Sequence, residues 1–325
     1  MKIKKIHLSA LVVLALFFIT CKKSETTNPT PATENPTSTE RSQAVKDYNE
    51  LYLGSSVNAF TWNGNANNCT EGTLPQEILD KVFMRIKYFR KVVGVSNTGI
   101  TMEADLSAKC QKHALMTTAN NNILSHFPDS TWKCYSADGA LAARYGNIAY
   151  GAPNVENINL WVEDAGSNNM PVLHRRWILY SMASKFGFGC TQNAATLWVI
   201  NNGSSFSLPA NTPEFIAWPA KGFVPRQVVY PRWSFAIPYG SYPFKVDFTS
   251  ATVTMVNASG VNVPLTVIHR DAVSSSYAGD NTLVWEPSGI NLTLTTDQKY
   301  TVNINGVLVN GTSKNYSYDV TIINP

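Results

Sequence analysis

Residues 155–182 read VENINLWVEDAGSNNMPVLHRRWILYSM, and this stretch decides how the middle of the chain folds. Over about Val155 to Ala165 the side chains of Ile158, Trp161, Val162 and Ala165 fall on one helical face. Gly166-Ser167-Asn168-Asn169 then supplies a turn, and a second helical pattern follows from Val172 to Met182. The turn brings the two segments back together. Asp164 and His174, on either side of it, can therefore meet in one polar cluster.

Working outward, the sequence before this stretch is also helical. Ile78, Val82, Ile86, Phe89 and Val93 recur on one face from Thr73-Pro75 to Gly94, and Leu106, Cys110, His113, Ala114 and Thr117 do so over about Met102 to Ala119. After it, Lys185 to Cys190 and Thr196 to Asn201 read as the short strands of a hairpin. Beyond about residue 205 the texture changes to segments rich in Val, Ile, Thr and Tyr. These are Phe244 to Phe248, Thr252 to Val256, Pro264 to Ile268, Thr282 to Trp285, Ile290 to Thr295, Tyr300 to Ile304 and Tyr316 to Ile322, with Asn305-Gly306 as a turn signal. Their number and spacing predict an Ig-like β-sandwich. Pro209 to Trp233 reads as an apolar connector packed between the two bodies.

At the other end, Lys2, Lys4 and Lys5 precede an apolar run from Leu8 to Ile19, the layout of a bacterial export signal and too short for a membrane span. Phe18-Ile19-Thr20-Cys21 resembles a permissive lipobox, which implies a lipid on Cys21. Residues 22–43 hold three prolines and no aromatic residue, the composition of a tether. The segments expected are a signal peptide at 1–20, a tether at 21–45, a first body at 46–204, and a connector with the sandwich at 205–325. Cys69, Cys110, Cys134 and Cys190 form an even set in an exported chain, so two disulfides are expected, with three pairings open.

Composition narrows the function. With 44% hydrophobic and 15% charged residues the 325-residue chain is no disordered polymer. Without the leader lysines its body is near neutral, which gives no electrostatic case for nucleic acid. No G-x-S-x-G, H-E-x-x-H, phosphate-cradling Gly-rich loop or G-x-G-x-x-G after a strand is present. Four histidines lie outside the leader: His113, His126, His174 and His269.

Around the first three of them the chain resembles the CAP superfamily of SCP-like extracellular proteins. The matching pieces are Leu106-Ser-Ala-Lys-Cys-Gln-Lys-His-Ala114, Ser125-His126, Gly146-Asn-Ile-Ala-Tyr-Gly151, Trp161-Val-Glu-Asp164 and His174-Arg-Arg-Trp-Ile-Leu179. They occur in family order over about residues 76–202. The resemblance implies an α+β fold, a CAP-type α-β-α sandwich with a central antiparallel sheet, followed here by the all-β region.

It also implies a cleft lined by two histidines and two acids. Carried over by position these are His126, His174 and Asp164 beside Asn147, while Gly146 stands where the second acid belongs. Leu173 replaces the glycine usual before His174. A divalent metal such as zinc on His126 and His174 would lack that acid unless Asp138 or Glu156 supplied it. Residue by residue, His113 reads as a buried helix histidine, His269 as a solvated strand end, and Arg175 and Arg176 as partners of Glu163 or Asp164.

Three functions follow as alternatives. One is a lipid-anchored, non-catalytic module at the cell envelope, on the outer membrane or cell surface, binding a lipid, glycan, small molecule or protein. The second is a hydrolase with His126 or His174 as base oriented by Asp164. The third makes the sandwich an adhesion or carbohydrate-binding module, with exposed aromatic residues as its platform.

Overall fold

The computed structural model describes residues 38–152, 154–201, 207–240, 245–273, 279–293 and 295–325. The lipobox and Cys21 lie outside them. Helix α1 spans Ser38–Asp47 and passes through short π and 3-10 turns into a loop; α2 is Gln76–Val92. Strand β1 (Thr101–Met102) leads to α3 (Ala104–Ala119), α4 (Ala137–Tyr145) and β2 (Gly146–Tyr150). Then come α5 (Glu156–Glu163), α6 (Leu173–Leu179), β3 (Lys185–Cys190) and β4 (Ala194–Trp198). The all-β remainder holds β5 (Ile216–Trp218), β6 (Gly222–Pro225), β7 (Trp233–Ala236), β8 (Val246–Asp247) and β9 (Thr252–Asn257). It ends with β10 (Leu265–Arg270), β11 (Thr282–Pro287), β12 (Gln298–Val309) and β13 (Thr312–Ile323).

The first sheet has the order β1-β3-β4-β2, antiparallel except for the β1–β3 pair. Helix α3 lies directly against it because β3 carries Gly187 and Gly189: a Cβ on Gly189 would stand 2.1 Å from the backbone nitrogen of Gln111. Only glycine allows two backbones so close. The C-terminal region forms two further sheets, an antiparallel β10-β11-β7-β5 and a mixed β6-β13-β12-β8 with β9 also on β12. Trp233, Trp285, Val302 and Tyr318 fill the space inside them.

The apolar core runs without a break from the helices into these sheets. The Phe89 ring of α2 meets Trp218 of β5 edge-on at 5.3 Å, and Trp218 stacks on Tyr230 at 6.3 Å. Removing a fully buried Trp at such a joint costs about 3–5 kcal/mol. Trp218, Trp233 and Trp285 are all fully buried and Trp161 nearly so, which makes them core, not platform.

Several expectations change. The predicted tether ends early, because α1 starts at Ser38 once the prolines stop, and its Arg41 Nε donates to Asp297 Oδ2 at 2.7 Å. Pro209–Trp233 is more than a connector, since it supplies β5, β6 and the start of β7, with prolines kept to strand ends. Asn305-Gly306 does not turn the chain but sits at a register shift inside β12, and the hairpin closes at Asn310-Gly311, both at positive φ. The described residues of Ile290 to Thr295 are not a strand.

Of the two expected disulfides the structure forms one, Cys69–Cys134, which ties the loop before α2 to the segment before α4. Cys110 and Cys190 are free and buried. Cys110 Sγ points at the Gly187 carbonyl across the close α3–β3 contact, and Cys190 stays in the core, with burial pushing its thiol up to about 12. Burial favours the protonated thiol at both positions at neutral pH.

A protein carrying Cys21→Ser, denatured without reductant, is therefore expected to take up alkylating reagent at two thiols, Cys110 and Cys190, by mass. Reduction of the single bridge, which spans 65 residues, is expected to lower unfolding stability by up to about 4 kcal/mol.

Candidate functional site

Asp164 ends α5 in the left-handed conformation, φ 56° and ψ 46°, with its N–H on the Leu160 carbonyl. Asp is among the few side chains that accept this backbone. The turn sends its buried carboxylate across to the start of α6. There Oδ2 accepts the backbone N–H of His174 at 2.9 Å and of Arg175 at 3.3 Å, and Oδ1 lies 2.7 Å from His174 Nδ1. One carboxylate thus caps the helix and fixes the imidazole. With Nδ1 as the donor, Nε2 is left as the basic nitrogen, and the side chain is 21% exposed. Asn147 of β2, itself buried, donates its Nδ2–H to the His174 carbonyl at 3.0 Å.

His126 stands in the exposed loop after α3, with Nδ1 2.6 Å from the Ala143 carbonyl of α4. A carbonyl can only accept, so Nδ1 carries the hydrogen and Nε2 is again the free nitrogen. The two histidines are each tied to a neighbouring stretch of one segment, His126 to Ala143 in α4 and His174 to Asn147 in β2. The Ser125 hydroxyl beside His126 accepts the Phe127 N–H at 3.0 Å.

The second acid has no room. A Cβ on Gly146 would lie 2.7 Å from the Ala142 carbonyl oxygen and 3.0 Å from that of Leu197. Neither expected substitute fills the gap. Asp138 Oδ2 pairs with Lys112 Nζ at 2.5 Å, and Glu156 Oε2 accepts from Asn159 at 2.6 Å. Among the described residues no three His, Cys, Asp or Glu side chains stand close enough to hold a metal ion. With both Asp164 oxygens engaged, the donor set does not fit the zinc site considered for His126 and His174.

The arginines go elsewhere than expected. Arg175 is buried and donates to backbone carbonyls of Val162, Glu163 and Arg232 and to Ser234 Oγ. Arg176 reaches Asp271 Oδ2 at 2.6 Å, and Asp271 Oδ1 is 2.9 Å from His269 Nε2, so His269 is paired with a buried carboxylate. His113 is the buried helix residue expected, with Nδ1 2.7 Å from Thr196 Oγ1.

Residues 85–201 match the family model for CAP, described as the cysteine-rich secretory protein family. That stretch is a CAP domain. It opens within α2, closes just past β4 and contains His126, Asn147, Asp164 and His174, while the C-terminal β-region lies outside it. No curated protein matches the chain. Sequence reading missed Arg232 and Ser234, which touch the CAP site from beyond the domain and lie within no motif.

Two buried groups of opposite sense shape the pH response. Burial raises Asp280 from 3.8 to about 6, against the pull of Ser181 N–H and Oγ and of Arg176. Burial, with the charge of His126, lowers His113 from 6.5 to about 4. Asp280 contributes stability that is full below its ordinary value and lost as pH rises through about 6. His113 contributes stability present above 6.5 and lost as pH falls through about 4. Each is worth on the order of 3 kcal/mol, and they offset over the shared range.

Asp280→Asn is therefore expected to leave the His113 effect exposed. Between pH 7 and pH 4 the variant should lose more stability than the native chain by about 3 kcal/mol in urea unfolding. Asp164→Asn, which removes the charge from three hydrogen bonds at α6, is expected to cost about 2–3 kcal/mol at pH 7 in the same measurement.

Proposed function

We propose that this chain is an exported protein, anchored by a lipid on Cys21 at the bacterial cell envelope, whose CAP domain is a non-catalytic binding module. The observation that carries the reading is the site itself. Its two histidines are fixed by protein partners, and the second acid is excluded by packing at Gly146. Such a site holds its shape but lacks the groups that hydrolysis asks for.

Beside the histidines the surface is apolar. Ile123, Leu124 and Phe127 are exposed around His126, Phe127 at 77%, and Met170 and Leu173 are exposed before His174. Exposed apolar side chains with a few fixed polar groups suit a lipid, glycan or protein ligand of the envelope. Among the described residues no helix is long and apolar enough to cross a membrane. On this reading attachment depends on Cys21 alone, and the two antiparallel-rich sheets after about residue 205 form an Ig-like sandwich that carries the CAP domain.

The hydrolase alternative keeps one supporting observation, the Asp164–His174 pair, which resembles an oriented general base. Among the described residues no set of three His, Cys, Asp or Glu side chains stands beside it to hold a metal.

Fractionation of producing cells tests the anchor: Cys21→Ser is expected to move the protein from the membrane to the soluble extracytoplasmic fraction, and retention in the membrane would count against it. Pull-down of native envelope fragments tests the surface. Phe127→Ser is expected to reduce retention severalfold while the unfolding midpoint holds, since the side chain is exposed.

A further inference from the structure

The clasp between the CAP domain and the C-terminal β-region closes on the residue that aims the His174 imidazole. Asp164 is not a glycine yet holds φ 56°, a backbone state that persists only where the surroundings fix it. Its N–H is held from within α5 by the Leu160 carbonyl. Its carbonyl oxygen is held from outside the domain, accepting from Arg232 Nη1 at 2.7 Å. Arg232 is in turn held by Glu286 of β11, with Nε 3.0 Å from Oε1, and its side chain is only 12% exposed. The same residue receives as well as donates, because its backbone carbonyl accepts from Arg175 Nη1 at 2.9 Å. Two reciprocal bonds thus join the residues on either side of the imidazole to one position in the all-β region.

We propose that Arg232 is a positioning residue for the Asp164–His174 pair, which makes the C-terminal β-region a working part of the CAP site. This rests on the reading of that pair as the ordered centre of the cleft. Without the guanidinium, the turn at Asp164 can relax toward ordinary backbone angles. The carboxylate then swings off His174 Nδ1 while the apolar core stays as it is.

The test is the ring Nδ1–H of His174, observed by proton NMR of the full chain labelled with 15N-histidine and assigned by its loss in His174→Ala. In the native chain the bond to a buried carboxylate slows its exchange with water. Arg232→Gln, whose shorter neutral amide falls short of the Asp164 carbonyl, is expected to speed that exchange by about tenfold or more with little change in thermal midpoint, and Arg232→Lys, which keeps a charged donor of longer reach, to restore much of the protection. Exchange in Arg232→Gln equal to native would overturn the proposal. If Arg232→Gln fails to fold, Glu286→Ala, at a partly exposed position, removes the acceptor that holds the guanidinium and is read the same way: faster exchange supports the proposal and native exchange overturns it. A native chain with no protected His174 ring proton would defeat the Asp164–His174 pair itself, a result distinct from a protected proton that ignores Arg232.

Discussion

One buried carboxylate holds the functional half of this molecule together. Asp164 closes α5, caps α6 and fixes the His174 ring, and it does so from a left-handed turn that the next segment could not reach otherwise. Because α6 has only seven residues, its backbone donors depend on that cap more than on their own helical bonds. The rest of α6 is then spent on contacts with other parts of the chain. Arg175 reaches β7, Arg176 reaches Asp271, and Ser181 just beyond the helix reaches Asp280. A short helix with a fixed start and three buried polar attachments becomes the seam between the CAP domain and the β-region.

That seam is polar where the rest of the joint is apolar. Phe89, Trp218 and Tyr230 give the two regions a shared hydrophobic contact, which supplies most of the attraction. The buried charges add register. An arginine that must find a carbonyl or carboxylate inside a core permits one arrangement of the neighbouring strands, since any other leaves it unpaired at a cost of several kcal/mol. Opposite shifts at Asp280 and His113 make the combined effect of these two groups small across mildly acidic pH, although each group alone responds strongly.

Much of this was legible in the sequence, and the gaps have physical causes. The helices α2, α3, α5 and α6 show in their apolar spacing because each buries one face. Helix α4 does not, because ADGALAARY is short and alanine-rich, and its start is marked only by Ser136, whose Oγ accepts the Gly139 N–H. Strands β5 and β6 were hidden by Pro219 and Pro225, which read as breakers although they sit where strands end. Asn305-Gly306 misled because the dipeptide suits a bulge as well as a turn. An even cysteine count suggested two bridges, but pairing follows geometry, and Cys110 is aimed at a carbonyl. Asp164, His174 and Asn147 were found from spacing and family resemblance. Arg232 stands 68 residues from the carbonyl it holds, and no local pattern announces it.

His126 and His174 are ordered separately, by the Ala143 carbonyl and the Asp164 carboxylate. Calorimetric titration of zinc into the chain with Cys21 replaced by Ser, beside His126→Ala and His174→Ala, tests this most directly. No micromolar binding that depends on both histidines is expected. Tight binding in the parent chain that disappears in both variants would contradict it and return the weight to metal-assisted hydrolysis.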